Sequence, residues 1–145
     1  MDKIIVVGVC IKSGFDEILM VQEAGNEIRW LYNIPTGRLN SFESIFEGAI
    51  REAKEETWYD VKLESVLCIQ YFGNKSLLKI IFNATILSWS IDFNENEIMN
   101  VKWISIEKLE KMTKKEIRSY DSIINIIKNV KNNAQYPLEI IENFK

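Results

Sequence analysis

The segment GRLNSFESIFEGAIREAKEETW, residues 37–58, contains the clearest helix signal in the chain and a dense cluster of charge. Either Ser41 or Ser44 can cap a helix that begins here, and Ser44 with Glu47 has the spacing of a capping box. Apolar or small side chains then recur at i, i+4, i+7 and i+11, a pattern that predicts a core-facing stripe. The residues of this predicted stripe are Phe46, Ile50, Ala53 and Thr57.

Three carboxylates lie beside this stripe. Glu52, Glu55 and Glu56 are spaced i, i+3 and i+4, whereas a helical wheel turns Arg51 and Lys54 to the far side. Like charges at this spacing oppose each other by about 0.2–0.5 kcal/mol per pair, and a bound cation would relieve the repulsion. An acid-rich helix face is often only solvated surface. The alternative is a cation site, and all-oxygen ligands favour Mg²⁺ or Mn²⁺.

Length and composition predict one globular domain over residues 1–145. Hydrophobic residues make up 47% and charged residues 27% of the chain, which is close to globular averages. The formal net charge of −3 argues against a nucleic-acid partner, which would need a basic face. The first apolar run, IIVVGVCI, is too short to span a membrane and lacks the features of a signal peptide. We therefore expect no membrane partner and a cytoplasmic location.

The chain contains no histidine, and this restricts its chemistry. A Ser-His or Cys-His nucleophile, a histidine general base and His-containing zinc sites are all excluded. The two cysteines, Cys10 and Cys68, lie in apolar, β-rich runs and are expected to be buried thiols rather than a disulfide. Any hydrolysis must therefore use carboxylates, lysine or a metal ion with oxygen ligands.

The remaining pattern predicts strands on both sides of the helix. Apolar runs at residues 3–12, 17–24, 60–73, 76–90 and 98–105 are typical of strands, and residues 73–76 of a hairpin turn. Residues 105–112 and 120–132 are predicted to be helical, and residues 136–144 to pack back as an apolar tail. This order indicates an α/β sandwich rather than a regular βαβ alternation.

The spacing from Gly37 onward carries a family resemblance. Gly37, five residues, Glu43, seven residues and then REAKEE, residues 51–56, resemble the Nudix box G-x5-E-x7-R-E-U-x-E-E-x-G-U, where U is apolar, at every position but one. The lead-in WLYNIPTGR, residues 30–38, is similar to the Pro-x-Gly region of MutT-like members. The late segment EIMNVKWISIEKL, residues 97–109, looks like their Glu…Trp segment.

The resemblance implies a fold and an activity. The expected fold is the Nudix-type α/β/α sandwich, a mixed β-sheet with the catalytic helix after a Pro-x-Gly loop. The expected activity is Mg²⁺- or Mn²⁺-dependent hydrolysis of the pyrophosphate bond of a nucleoside di- or triphosphate, MutT-like and including oxidised purine nucleotides. The alternatives are an ADP-sugar or dinucleotide pyrophosphatase, and a catalytically weakened Nudix module that binds a nucleotide. The partner would be a small nucleoside diphosphate derivative, and the protein a monomer or homodimer.

The resemblance also implies roles for particular residues. Glu52, Glu55 and Glu56 would bind the metal with the carbonyl of Gly37, and Glu43 and Arg51 would hold these glutamates in orientation. The general base would be Glu52 or Glu97. Arg38 and Arg29 are candidates for phosphate contacts, and Trp30 for stacking on a base, with solvation or simple packing as the other interpretations. Asp121 resembles an acidic base-reading position of oxidised-purine members.

One position departs from the pattern. Trp58 stands where the box has its second glycine, a residue that fits a left-handed helix cap. A tryptophan in that conformation costs about 1 kcal/mol. We expect a locally altered cap with retained chemistry, and a damaged site is the alternative.

Overall fold

The structure is a computed structural model and describes residues 2–23, 31–89 and 100–144. The strands are β1 Ile4–Ile11, β2 Glu17–Glu23, β3 Leu31–Asn33, β4 Thr36–Arg38, β5 Tyr59–Phe72, β6 Leu77–Trp89 and β7 Asn100–Ser105. The α-helices are α1 Ile45–Thr57, α2 Ile106–Lys111 and α3 Tyr120–Lys131. Short 3₁₀ turns cover Gly73–Lys75 and Leu138–Ile140.

The described strands form two sheets. The first has the order β4-β1-β6-β5, in which β1 and β6 are parallel and the other neighbours antiparallel. The second has the order β3-β2-β7 and is antiparallel. The mixed sheet confirms the predicted α/β class and rules out a regular βαβ alternation.

Helices cover both faces of the sheets because side chains alternate along each strand. Val7 and Val9 of β1 pack in one core cluster with Ala49 and Ala53 of α1. Cys10, the next residue of β1, faces the other cluster, to which α2 and α3 contribute apolar residues. The predicted α/β/α sandwich is therefore confirmed.

Helix α1 begins as predicted, and Ala53 and Thr57 of the predicted stripe are buried, but the buried face is rotated away from Ile50. Ser44 is the N-cap: its hydroxyl accepts from the Glu47 amide, and the Glu47 side chain accepts from the Ser44 amide. Ile50, predicted to be in the core, is 38% exposed. The buried residues of α1 are Gly48, Ala49, Glu52, Ala53 and Thr57. Gly48 has no side chain and Ala49 only a methyl group, so this side of the helix can lie close to the sheet. The buried face of α1 is therefore rotated toward Glu52.

The expectations about the hairpin and the tail are confirmed, and the one about the cysteines is confirmed in part. The hairpin between β5 and β6 lies where it was predicted, and the tail packs back through backbone hydrogen bonds between Tyr136 and Val66. Cys10 and Cys68 are free thiols as predicted, but only Cys10 is buried, and Cys68 is half-buried. Burial raises the pKa of Cys10 to about 12, with Cys68 adding to the effect, and burial raises the pKa of Cys68 to about 11. None of the described helices combines the length and apolarity that crossing a membrane requires.

Candidate functional site

The Glu52 carboxylate lies directly against Gly37 where α1 crosses β4. Gly37 pairs with Val7 in the sheet, and Glu52 is 9% exposed. A Cβ added to Gly37 would overlap the carboxyl carbon and both carboxylate oxygens of Glu52. The φ of Gly37 is not positive, so close approach, rather than backbone freedom, explains the glycine.

A second carboxylate reaches the preceding residue of the same strand. The amide of Thr36 donates to Oε2 of Glu56 at 3.1 Å. The hydroxyl oxygen of Thr36 is buried and has no hydrogen-bond partner in the described part of the chain. Two glutamates one helical turn apart thus approach two consecutive residues of β4. We call this region the β4–α1 corner and define it by Thr36, Gly37, Glu52 and Glu56.

Arg51 links the corner to the loop before α1. Its Nη2 and Nε donate to the two carboxylate oxygens of Glu43 at 2.7 and 2.9 Å. Its Nη1 donates to Oε1 of Glu52 at 2.9 Å and to Glu55 at 3.2 Å, and Nη2 also donates to the carbonyl of Arg38 at 3.0 Å. The helical-wheel prediction that Arg51 points away from the acids is therefore wrong. The contacts are those that a positioning role for Arg51 and Glu43 requires.

The pKa directions follow from these contacts and from burial. The hydrogen bond from Arg51 is the main reason that the pKa of Glu43 lies below its ordinary value. The pKa of Arg51 is raised, chiefly by Glu43. The pKa of Glu52 is raised because the desolvation of its buried carboxylate outweighs the hydrogen bond from Arg51.

The predicted convergence of three glutamates is absent. The Glu55 side chain is 56% exposed and is held by Arg51. Within residues 2–23, 31–89 and 100–144, no three His, Cys, Asp or Glu side chains group closely enough to hold a metal ion. The donors of the corner nevertheless suit Mg²⁺ or Mn²⁺, since Mg²⁺ commonly uses one or two carboxylates together with waters and substrate phosphates. Glu52, Glu56 and the Gly37 carbonyl would supply the protein ligands.

Of the other predicted site residues, Arg38 adjoins the corner, Asp121 belongs to α3, and the rest lie outside the described residues. Arg29, Trp30 and Glu97 belong to the undescribed segments. Arg38 is exposed on β4, next to Gly37. Asp121 is exposed in the first turn of α3.

Asp121 borders a cavity of about 440 Å³ at the start of α3, which we call the α3 recess. Its lining includes Phe72, Lys75, Arg118, Tyr120 and Asp121. Of these, the sequence indicated only Asp121. Phe72 and Lys75 come from the β5–β6 hairpin, and no local pattern connects them with α3. A larger cavity of about 640 Å³ lies between Lys12 and Lys131 and contains no predicted site residue.

Trp58 itself adopts the left-handed conformation that the box glycine would favour. Its φ is 67°, and its amide donates to the carbonyl of Lys54 at 2.9 Å. The expectation of an altered cap is wrong: the cap geometry is present, with a tryptophan in it. The end of α1, and with it the placement of Glu55 and Glu56, is therefore preserved despite the substitution.

Comparisons with known proteins agree with this geometry. The NUDIX domain family profile matches residues 2–124. Nudix hydrolase 8 of Arabidopsis thaliana is 36% identical over 106 residues, covering 69% of this chain and 29% of that protein. An 8-oxo-dGDP phosphatase of Danio rerio is 38% identical over 68 residues, covering 47% of this chain and 21% of that protein.

A solved NUDIX hydrolase from Nitrosomonas europaea superimposes with a TM-score of 0.83. It is 23% identical, and the match covers 99% of this chain and 98% of that chain. At this identity the likeness concerns the fold. The chain spans less than a third of the length of the two curated relatives described above.

Proposed function

Because the chain belongs to the NUDIX family, we propose that it hydrolyses a pyrophosphate bond in a nucleoside diphosphate derivative, using a divalent cation at the β4–α1 corner. The observation that carries the proposal is the buried Glu52 carboxylate against Gly37. A buried carboxylate is costly unless it is paired or coordinates a metal. Arg51 occupies only one side of Glu52, and Glu56 approaches the adjacent residue of β4.

Each residue of the corner has a distinct proposed role. Glu52, Glu56 and the Gly37 carbonyl hold the cation, and Glu55 joins them when it leaves Arg51. Arg51 and Glu43 position the glutamates. A divalent cation neutralises phosphate charge and lowers the pKa of a bound water. Glu52 or Glu97 accepts the proton from the attacking water.

We further propose that the substrate is a MutT-like one, a nucleoside di- or triphosphate whose base enters the α3 recess. The rings of Phe72 and Tyr120 can stack on a base. Asp121 would accept from its edge, and Arg38 would contact phosphate. The name of the Danio rerio relative supports oxidised purine nucleotides within this class. An ADP-sugar or dinucleotide substrate is the second candidate, because the recess also has room for a nucleoside attached to another group.

Release of phosphate or pyrophosphate from a nucleotide panel tests the proposal. Canonical and 8-oxo nucleotides, an ADP-sugar and a dinucleotide are assayed with Mg²⁺ and with Mn²⁺. Glu56→Gln and Glu55→Gln are expected to abolish turnover while leaving thermal unfolding near wild type. Glu139→Gln, at an exposed position in the tail, is the control and is expected to turn over normally. Binding without release from any nucleotide would instead indicate a module that only binds.

A further inference from the structure

Lys79 is a buried lysine without an acidic partner. It lies on β6 and is only 7% exposed. Its Nζ donates to the hydroxyl of Ser122 at 3.1 Å and lies 5.3 Å from the centre of the Phe72 ring. Among the described residues, no carboxylate forms an ion pair with it. Lysines are almost never this deeply buried unless they are paired, so this site calls for a physical explanation.

Two other cations, Arg118 and Lys75, act on the charge of Lys79. Burial is the main reason that its pKa lies below the ordinary lysine value; Cys68 opposes this effect, while Arg118 and Lys75 reinforce it. Like charges held together in a partly desolvated place repel each other. An anion that entered between them would remove this repulsion.

The α3 recess supplies the place for such an anion. Phe72 and Ser122, which both contact the ammonium of Lys79, line the recess. Among the described residues that line it, three side chains are cationic and only Asp121 is acidic; the cations are Lys75, Lys114 and Arg118. The recess lies at the N-terminus of the 12-residue helix α3, where Ser119 makes no side-chain capping bond. The first amides of α3 therefore add a positive field.

The first sheet connects Lys79, beside the recess, with Arg38, the residue that follows Gly37 of the β4–α1 corner. Across the first sheet, Arg38 pairs with Val6, Val6 with Lys79 and Lys79 with Gln70. Adjacent strands are about 4.8 Å apart, so the Cα atoms of Arg38 and Lys79, which lie two strands apart, are separated by about 10 Å. One extended nucleotide can span this distance.

We propose that the α3 recess, beside the base that stacks on Phe72 and Tyr120, also binds a phosphate group, one that the substrate carries on the ribose of its nucleoside outside the hydrolysed pyrophosphate bond. Lys75 and Arg118 contact the phosphate, and Lys79 contributes its charge from behind Phe72 and Ser122. The assignment of this phosphate to the substrate rests on the proposed function. The presence of a phosphate-binding recess does not.

Calorimetric titration of the full chain in EDTA measures ligand binding to the recess without binding that depends on a divalent cation. The ligands are adenosine 3′,5′-bisphosphate, AMP, the corresponding guanosine pair and inorganic phosphate. For at least one base, the bisphosphate is expected to bind about 10-fold more tightly than the monophosphate. Arg118→Gln and Lys75→Gln are expected to remove most of this difference. Lys62→Gln, at an exposed position on β5, is the matched control and is expected to retain it. Since Lys75 is exposed, its variant is expected to fold even if Arg118→Gln does not.

The outcomes distinguish the source of the phosphate. If inorganic phosphate binds as tightly as the bisphosphate and is weakened by the same variants, the recess binds free phosphate and the assignment to substrate is overturned. If neither bisphosphate exceeds its monophosphate and inorganic phosphate does not bind, the recess proposal itself is overturned. A bisphosphate preference that persists in Glu56→Gln shows that the recess binds independently of the cation site. If the wild-type protein keeps the preference but hydrolyses no nucleotide, the recess proposal stands and the proposed function alone fails.

Discussion

The carboxylate of Glu52 occupies the volume into which a side chain at Gly37 would project. Helix α1 can bring a glutamate this close to β4 because Gly48 and Ala49 allow the helix to pack tightly on the sheet. The strand and the helix can therefore pack this closely only because position 37 lacks a side chain. The contact joins the two parts of the proposed cation site, the β4 backbone and the α1 carboxylates.

Replacing Gly37 with alanine is expected to impair activity more than stability. The new methyl group meets the end of a flexible side chain, so Glu52 can swing away without movement of the backbone. Misplacement of a reacting group by about 1 Å can cost about 100-fold in rate. We expect kcat to fall by about that factor, with a change in unfolding free energy of less than about 2 kcal/mol. Steady-state kinetics and urea denaturation measure the two effects.

Gly14→Ala is the control for this substitution. Gly14 is exposed in the turn before β2, and a Cβ there meets no atom within 4 Å. Wild-type kinetics are expected for it. Equal activity of the Gly37 and Gly14 variants would show that the position of Glu52 has no part in turnover.

Replacing Arg51 with lysine is expected to reduce both stability and activity. A lysine keeps the charge but cannot make the forked contact with Glu43 while also reaching Glu52. The Arg51 and Glu43 side chains are 25% and 14% exposed, so the lost charged hydrogen bonds are only partly screened. We expect a loss of about 1–3 kcal/mol in unfolding free energy and about 10- to 100-fold in kcat.

The reverse exchange at a surface pair serves as the comparison. Lys131 pairs with Glu110 at 3.0 Å, and both side chains are about half exposed. Lys131→Arg is expected to change the unfolding free energy by no more than about 0.5 kcal/mol. If Arg51→Lys changed the unfolding free energy as little as Lys131→Arg and left kcat unchanged, the proposed positioning role would be wrong.

Local sequence patterns were sufficient to predict the elements of the fold. The apolar run of β1, the capping box of Ser44 and Glu47 and the apolar spacing of α3 each depend on residues close in sequence. The Ile50 prediction failed because periodicity locates an apolar face but not the rotation that small residues permit. Gly48 and Ala49 decided that rotation through their contact with the sheet.

The contacts of long side chains were not predictable in this way. A helical wheel follows the Cα–Cβ direction, whereas the guanidinium of Arg51 lies several bonds farther out and turns back to Glu43. The α3 recess combines Phe72 and Lys75 with Arg118 and Tyr120, which are more than 40 residues away. Only the fold brings these residues together, so the basic character of the recess left no local signal.

The Trp58→Gly variant is expected to be more stable than the Trp58→Ala variant. Both substitutions remove the indole ring, but only glycine adopts a φ of 67° without strain. The difference in unfolding free energy should be about 1 kcal/mol in favour of Trp58→Gly. Lys54→Ala and Lys54→Gly, inside α1, provide the control. There the alanine variant should have the higher unfolding free energy, by about the same amount. The same order at both positions, measured by urea denaturation, would mean that the left-handed cap imposes no strain.

The buried charge of Lys79 is expected to make stability depend on pH. Burial holds the pKa of Lys79 below its ordinary value; Cys68 opposes this effect, while Arg118 and Lys75 reinforce it. Between the folded and unfolded pKa values the unfolded chain binds more protons, so stability rises with pH in this interval. Lys79→Met lacks this contribution. The unfolding free energy of wild type minus that of Lys79→Met should therefore increase as the pH rises toward the ordinary lysine pKa of about 10.4.

Urea denaturation at pH 7, 8.5 and 9.5 measures this difference. The slope cannot exceed about 1.4 kcal/mol per pH unit for one proton. Lys62→Met removes an exposed lysine from the neighbouring strand β5 and serves as the control for the loss of one positive charge. A difference for Lys79→Met that stays constant over this range, or that follows the Lys62→Met control, would show that burial does not perturb the ammonium of Lys79. The repulsion among Lys79, Lys75 and Arg118 would then be too weak to favour an anion in the α3 recess.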